Sequence, residues 1–79
     1  MPNPKPEARI IVNPDICNGK PVIRGTRVTV ETVLGYLGAG DSIEEILHQY
    51  PQLTAEDIAA CLTFASKLVS HSYRISELV

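Results

Sequence analysis

The amino-acid sequence predicts a mainly α-helical domain with three helices, preceded by a short N-terminal β element. Apolar residues recur every three or four positions in three stretches between residues 30 and 69, which is the spacing of helical faces. Glycine and proline residues separate these stretches. Residues 9–23 instead contain short β-branched runs divided by turn residues, as is typical of strands. A chain of 79 residues has room for one such domain.

The β element is predicted from two short extended runs. The first, Arg-Ile-Ile-Val at residues 9–12, is ended by an Asn-Pro-Asp turn. Asn18 and Gly19 predict a second turn, because both residues tolerate positive φ. The chain extends again as Pro-Val-Ile at residues 21–23, until Gly25 breaks the run. The proline of that run cannot donate a ladder hydrogen bond, so we expect a strand that is short or lies at an edge.

The first helix is predicted to begin near Thr29 and to end in a glycine-rich segment. Its apolar face consists of Val30, Val33, Leu34 and Leu37. Gly38 and Gly40 follow, and Gly40 suits the left-handed conformation that often ends a helix.

Capping sequences mark the starts of the other two helices. Ser42 lies three residues before Glu45, and Thr54 lies three residues before Asp57, which is the spacing of a capping box. Pro51 ends the second helix. The predicted apolar faces are Ile43, Ile46, Leu47 and Tyr50 in the second helix, and Ile58, Cys61, Leu62, Ala65, Leu68 and Val69 in the third.

The turn between the second and third helices predicts a homeodomain-like helix-turn-helix. It has three residues, 51–53, of which Leu53 is the apolar one that can fill the corner. Any three-helix bundle would show the same pattern, which is the alternative interpretation. We expect residues 1–8 to form a flexible N-terminal tail and residues 9–70 to form the single domain. Residues 71–79 are expected to form either a C-terminal tail or an extension of the third helix.

The charges are segregated along the chain, although the net charge is only −2. Residues 9–27 hold four basic residues and one acidic residue, whereas residues 28–66 hold six acidic residues and neither lysine nor arginine. In a DNA-reading helix-turn-helix the start of the last helix meets the base edges. Here that start carries Glu56 and Asp57, which would face the phosphates. The pattern therefore disfavours DNA reading by this helix.

The helix-start carboxylates are candidates for binding a partner protein. This candidate set is Glu44, Glu45, Glu56 and Asp57. The alternative is that these acids only stabilise helix N-termini through the helix dipole.

The segment at residues 19–27 is the most distinctive part of the sequence. Its cations, Lys20, Arg24 and Arg27, alternate with glycine and proline residues that restrict the backbone. Arg24 and Arg27 can form bidentate contacts with phosphates or carboxylates. Alternatively, these two arginines pair internally with Asp15, Glu31 or helix carbonyls. The glycine spacing of a phosphate-binding P-loop is absent.

The sequence predicts no catalytic residue, metal site or cofactor. His48 and His71 are isolated from other metal-ligating residue types, and Cys17 and Cys61 lack metal-ligand spacing. We expect free thiols, with a single disulfide as the alternative. The protein is therefore predicted not to be an enzyme.

Targeting signals and membrane-length apolar runs are also absent from the sequence. These features predict a cytoplasmic protein that does not enter a membrane. Because so short a chain buries a small core, oligomerisation is the expected reinforcement.

Two parts of the sequence together resemble the bacterial and archaeal family known as domain of unknown function 433. The first is Ile-Val-Asn-Pro-Asp-Ile-Cys-Asn-Gly-Lys-Pro-Val-Ile-Arg-Gly-Thr-Arg-Val-Thr-Val at residues 11–30. The second comprises Gly-Ala-Gly, Ser-Ile-Glu-Glu-Ile, Tyr-Pro and Leu-Thr-Ala-Glu-Asp-Ile within residues 38–58. The resemblance spans roughly residues 9–68, and its one departure is Asn18, where the family often has glycine. It implies a homeodomain-like three-helix fold with a small β element, frequently as a dimer.

The resemblance also implies an antitoxin role, typically with a PIN-like ribonuclease toxin as the partner. The motif positions taken as candidates for nucleic-acid or anion binding are Lys20, Arg24, Gly25, Thr26 and Arg27. We therefore expect a homodimeric type II antitoxin that binds the toxin, with autoregulatory binding to operator DNA as a second activity. A free-standing DNA-binding regulator and a structural adaptor are the alternatives.

Overall fold

The computed structural model describes residues 9–72 and is mainly helical, with a two-stranded antiparallel sheet near its N-terminus. The predicted fold class is thus confirmed. The strands are β1 (Ile10–Ile11) and β2 (Val22–Ile23), and the helices are α1 (Val30–Gly38), α2 (Ile43–Gln49) and α3 (Ala55–Ser72). The tail expected at residues 1–8 lies outside the described residues, as do residues 73–79. The third helix reaches Ser72.

The sheet is small but connected to the first helix. Strands β1 and β2 pair with Ile10 opposite Ile23, and the backbone N–H of Arg24 donates to the carbonyl of Arg9 at 2.7 Å. On its other side, Ile23 donates to the carbonyl of Val28 at 3.0 Å. Both edges of β2 are therefore paired. This arrangement brings the chain directly into α1.

A turn of three left-handed residues separates the two strands. Cys17, Asn18 and Gly19 have φ values of 50°, 59° and 79°. The sequence predicted positive φ at Asn18 and Gly19 but not at Cys17, where the side chain makes this conformation cost about 1–2 kcal/mol. Hydrogen bonds close the turn, from Gly19 to the carbonyl of Ile16 at 2.9 Å and from Lys20 to that of Cys17 at 3.1 Å.

Each helix begins at the residue that the sequence predicted. The Thr29 hydroxyl accepts from the N–H of Thr32 at 3.0 Å at the start of α1. Ser42 and Glu45 form a reciprocal capping box at the start of α2, with distances of 3.1 Å and 2.6 Å. The left-handed residue predicted after α1 is Gly40, with φ of 99°. These local hydrogen bonds fix where the helices start and stop.

The hydrophobic core lies between the sheet and the first halves of the helices. Its buried members are Ile10, Val22, Ile23, Val28, Val30, Val33, Ile46, Leu53, Ile58, Ala60 and Cys61. Leu53 fills the corner between α2 and α3, as predicted. Of the predicted apolar face of α3, Ile58 and Cys61 are buried and Ala65 is half-buried, whereas Leu62, Leu68 and Val69 are exposed. Leu62 lies at the edge of the buried side, and this 18-residue helix continues beyond the core. None of the helices in residues 9–72 combines the length and the apolar character needed to cross a membrane.

An ion pair joins the sheet to the start of α3. Arg9 Nη1 lies 3.0 Å from Asp57 Oδ1, and the Asp57 residue is only 8% exposed. The other carboxylate oxygen of Asp57 accepts from the N–H of Thr54 at 2.9 Å, which completes the predicted capping interaction. One carboxylate therefore holds two elements that are 48 residues apart in sequence.

The two cysteines are free and have different surroundings. Cys61 is fully buried, and burial followed by the charge of Asp57 raises the pKa of its thiol to about 11. Cys17 is half-buried, and its Sγ donates to the carbonyl of Arg27 at 3.4 Å. Only Cys17 is accessible to a reagent in the folded protein.

Replacing Asp57 should destabilise the fold. We expect Asp57→Ala to lower the free energy of unfolding by about 2 kcal/mol, because it removes a helix cap and leaves a half-buried arginine unpaired. Urea denaturation followed by circular dichroism measures this loss. The matched control is Glu56→Ala at the adjacent exposed position, which should change stability by about 0.5 kcal/mol or less. Equal effects of the two substitutions would show that the ion pair contributes nothing.

The two thiols should react at different rates. At mildly alkaline pH we expect a thiol reagent to label Cys17 in the folded protein and to label Cys61 only in urea, because the reactive species is the thiolate. Mass spectrometry of the digested protein assigns the label. Cys17→Ser leaves only the slow site and serves as the control. Rapid labelling of Cys61 without denaturant would contradict its burial.

Candidate functional site

The basic segment of the sequence forms a hairpin, here called the basic hairpin (residues 19–27). A turn closes it, in which the N–H of Thr26 donates to the carbonyl of Ile23 at 3.0 Å. Gly25 occupies the third position of this turn with φ of 80°, a conformation that favours glycine. The Thr26 hydroxyl donates to the Ile23 carbonyl at 2.8 Å and accepts from the N–H of Val28 at 3.0 Å. Gly25 and Thr26 therefore shape the turn.

The three cations of the basic hairpin are exposed. Lys20 Nζ lies 3.0 Å from Glu31 Oε1, and both side chains are well exposed to solvent, so the pair contributes at most about 1 kcal/mol. Glu31, one of the internal partners considered for Arg24 and Arg27, thus forms an ion pair with Lys20. Arg24 lies within the turn and Arg27 follows it. The two guanidinium groups are therefore three positions apart in sequence. The backbone between them is held by the hydrogen bonds of the turn.

A shallow cleft of about 630 Å³ lies beside the left-handed turn. It is lined by Cys17, Asn18, Lys20, Thr29, Glu31, Thr32 and Gly35. No histidine is among these lining residues, and the ionisable groups beside Cys17 in the cleft are Lys20 and Glu31, which pair with each other.

A second cleft, here called the acidic cleft, lies between the end of α1 and α2. It has a volume of about 340 Å³ and is lined by Tyr36, Asp41, Glu44, Glu45, Ile46, His48 and Gln49. Glu44 and Glu45 are exposed and Asp41 is half-buried. The cleft therefore combines three carboxylates with an aromatic ring, which is a chemistry that suits lysine or arginine side chains.

The tyrosine of the acidic cleft is held by a second tyrosine. The rings of Tyr36 and Tyr50 lie 6.0 Å apart with an angle of 64°, in an edge-to-face arrangement. The hydrogen bond with Tyr50 raises the pKa of the Tyr36 hydroxyl. The charge of Tyr50, burial and the charge of Asp41 raise this pKa further. Tyr36 therefore stays neutral at physiological pH, and the negative charge of the cleft comes from its carboxylates.

The four carboxylates predicted to bind a partner have different roles in the structure. Glu44 and Glu56 are exposed. Glu45 is exposed too, but its Oε1 accepts from the N–H of Ser42 at 2.6 Å. Asp57 is buried and uses both oxygens, one with Arg9 and one with the backbone of Thr54. Asp57 is thus a structural residue, because a partner could engage its carboxylate only by breaking these contacts.

The start of α3 carries no cation that could read bases. Of its first residues, Ala55 and Glu56 are exposed and Asp57 is paired. A phosphate approaching this helix end would meet carboxylates, as the sequence indicated. Within residues 9–72, no cluster of three or more histidine, cysteine, aspartate or glutamate side chains is placed to hold a metal ion.

Several site residues could not be found by reading the sequence. Tyr36, Asp41 and His48 line the acidic cleft but carry no motif of their own. Their proximity depends on the packing of α1 against α2. The only local signal is that Asp41 follows Gly40, the left-handed residue after α1, which places a carboxylate between the two helices.

Comparisons with known proteins place this chain in a family. Residues 10–65 match the family described as "Protein of unknown function (DUF433)". A crystal structure of a DUF433 member protein from Anabaena variabilis is similar, with a TM-score of 0.74 and 35% sequence identity. That similarity covers 80% of this chain and 62% of the other.

An uncharacterized protein of Sinorhizobium fredii, y4eO, is 47% identical over 60 residues. The matched segment is 73% of this chain and 27% of y4eO, so the chain spans about a quarter of that relative's length. The family match includes the basic hairpin, both clefts and the core, and the chain belongs to the DUF433 family, whose function is unknown.

Proposed function

We propose that this protein is the antitoxin of a type II toxin–antitoxin pair and neutralises a PIN-like ribonuclease by binding it through the acidic cleft and Glu56. The observation that carries the proposal is the exposed carboxylates of a region, residues 28–66, that contains no lysine or arginine. The antitoxin role implied by the family resemblance agrees with this chemistry. In this proposal the protein acts in the cytoplasm by binding and has no catalytic activity of its own.

The chemistry of a ribonuclease surface explains why exposed carboxylates would be enough to bind the toxin. An enzyme that holds RNA presents cations to phosphates, and those cations attract an acidic surface equally well. The acidic cleft adds shape to this attraction, because the ring of Tyr36 and the side chain of Ile46 line the same space as Glu44. A lysine or arginine side chain of the toxin would enter it and become unavailable to RNA.

DNA binding is the second candidate function, and the basic hairpin is the observation that favours it. Arg24 and Arg27 are exposed on a backbone fixed by the turn at Gly25. Such a pair can contact two phosphates, and two copies would present two pairs to operator DNA. This binding would depend on the hairpin, since the start of α3 is acidic. A structural adaptor would use neither charged surface.

Reversing two carboxylate charges should weaken binding to the toxin. The tagged full-length protein is used to capture its partner from nuclease-treated lysate of the native host, and mass spectrometry identifies a stoichiometric basic nuclease. Titration calorimetry with that purified nuclease then compares the wild type with Glu44→Lys combined with Glu56→Lys. We expect the dissociation constant to rise about tenfold or more, because two attractive contacts become repulsive.

The choice of positions keeps the fold intact. Glu45 and Asp57 are left unchanged because they cap helices. The matched control, Asp15→Lys combined with Glu31→Lys, makes the same change in net charge at other exposed positions. Unchanged affinity of the Glu44/Glu56 variant, an equal loss in the control, or recovery of no stoichiometric protein would refute the proposal.

Removing the hairpin arginines should weaken binding to DNA. We expect Arg24→Ala combined with Arg27→Ala to lower affinity for duplex DNA from the protein's own upstream region. The slope of log affinity against log salt should become shallower by about 1.8 for each bound copy, because each of its two lost phosphate contacts no longer releases about 0.9 counterion. Fluorescence anisotropy at several salt concentrations measures both quantities. Lys67→Ala, an exposed cation on α3, should leave the slope unchanged, and an unaltered slope in the double variant would exclude the hairpin.

A further inference from the structure

The left-handed turn between the strands contains an asparagine that can react with its own backbone. The sequence has three asparagines, Asn3, Asn13 and Asn18. The first two precede proline, whose nitrogen carries no hydrogen and cannot act as the nucleophile. Asn18 is exposed and precedes Gly19, which has no side chain to shield its amide nitrogen. Cyclisation of an asparagine onto the following amide is therefore open to Asn18 alone.

This reaction is a cyclisation followed by a hydrolysis. The amide nitrogen of Gly19 loses its proton to base and attacks Cγ of Asn18. The side-chain amino group takes a proton from solvent and leaves as ammonia, so a new carbon–nitrogen bond replaces the broken one in a succinimide ring. Water then opens the ring. Hydrolysis at the side-chain carbonyl gives aspartate, and hydrolysis at the backbone carbonyl gives isoaspartate.

The folded turn holds the two reacting atoms apart. Ring closure requires the Gly19 nitrogen to lie on the same side of the Asn18 Cα–C bond as Cβ. Asn18 has φ of 59° and ψ of 31°, which places that nitrogen almost opposite Cβ. The same nitrogen donates to the carbonyl of Ile16 at 2.9 Å, so removal of its proton would cost a hydrogen bond. The next N–H, that of Lys20, donates to the carbonyl of Cys17 at 3.1 Å and resists rotation of the peptide between them.

We propose that Asn18 is a site of spontaneous deamidation that the folded turn keeps unreactive, so that the modification marks molecules in which the turn has opened. Exposure of the side chain does not make it reactive, because the backbone geometry around it is wrong for ring closure. The observed rate is then the rate of the open chain multiplied by the fraction of molecules that are open. Neither a nuclease nor DNA takes part, so this inference goes beyond the proposed function and does not depend on it.

The modified turn differs from the original in charge and in length. Either product adds a negative charge to the cleft that Asn18 shares with Lys20 and Glu31. Isoaspartate also lengthens the backbone between residues 18 and 19. The two hydrogen bonds that close the turn both span this position, and their geometry depends on the number of backbone atoms between donor and acceptor. A molecule that has reacted therefore cannot recover the original turn, which lies directly before the basic hairpin.

Incubation of the full chain at mildly alkaline pH, with a thiol reductant and with or without unfolding guanidinium chloride, tests the proposal. Circular dichroism confirms the state of each sample. Mass spectrometry of the digested protein measures conversion of each amide to a carboxyl group, and chromatography separates the aspartate and isoaspartate peptides. We expect Asn18 to convert about tenfold or more slowly in the folded sample, because only molecules with an open turn react. Asn3 and Asn13 are internal controls that should not convert in either sample.

The matched control is Asn18→Gly, which removes the reactive amide at a position whose φ of 59° suits glycine. It should fold like the wild type, and the peptide that contains residue 18 should gain no carboxyl group with or without denaturant. Equal rates of Asn18 conversion in the folded and unfolded wild type would overturn the proposal, because the turn would then give no protection. Absence of conversion in the unfolded chain would also overturn it, since Asn18 would then not be a reactive site.

Discussion

The ion pair between Arg9 and Asp57 is the contact on which the arrangement of this small domain depends. Local capping fixes the start of each helix, but no local interaction fixes α3 against the sheet. The carboxylate of Asp57 does both, because one oxygen caps the helix at Thr54 and the other binds the arginine that precedes β1. With β1 held against α3, the side chains of Ile10 and Ile58 are enclosed in one core. The basic hairpin is attached to the same strand, since Arg24 donates to the carbonyl of Arg9.

The carboxylates at the helix starts fall into two groups, those that hold the fold and those that only lie exposed. Asp57 belongs to the first group, and Glu45 contributes to it as a cap while remaining exposed. Glu44 and Glu56, each next to one of these structural acids in sequence, lie exposed. Adjacent carboxylates at a helix start thus have different roles. One accepts a hydrogen bond from the backbone of the cap residue, and the other is exposed to solvent. For a domain with so few charges, this division leaves an acidic surface without weakening the helix termini.

Local structure was predictable from the sequence, and tertiary structure was predictable only in part. The caps at Thr29, Ser42 and Thr54 were correctly identified, because a cap depends on residues three positions apart. The left-handed conformation of Cys17 was not, since the hydrogen bonds of the turn impose it against the preference of the side chain. The apolar pattern of α3 predicted one continuous buried face. Periodicity shows which side of a helix is apolar but not how far along it the core extends, and the exposed Leu68 and Val69 are the result. The acidic cleft was missed for a similar reason, because Tyr36 and His48 meet only when α1 packs on α2.

The ion pair of Arg9 also bears on where a shortened form of this domain should begin. The segment shared with the family runs over residues 10–65, whereas the guanidinium that neutralises Asp57 belongs to the residue just before it. A fragment trimmed to the shared segment would bury the carboxylate of Asp57 without the guanidinium that pairs with it, which would destabilise the fold. A shortened form of this domain should therefore keep Arg9, although that residue lies just outside the segment that the family shares.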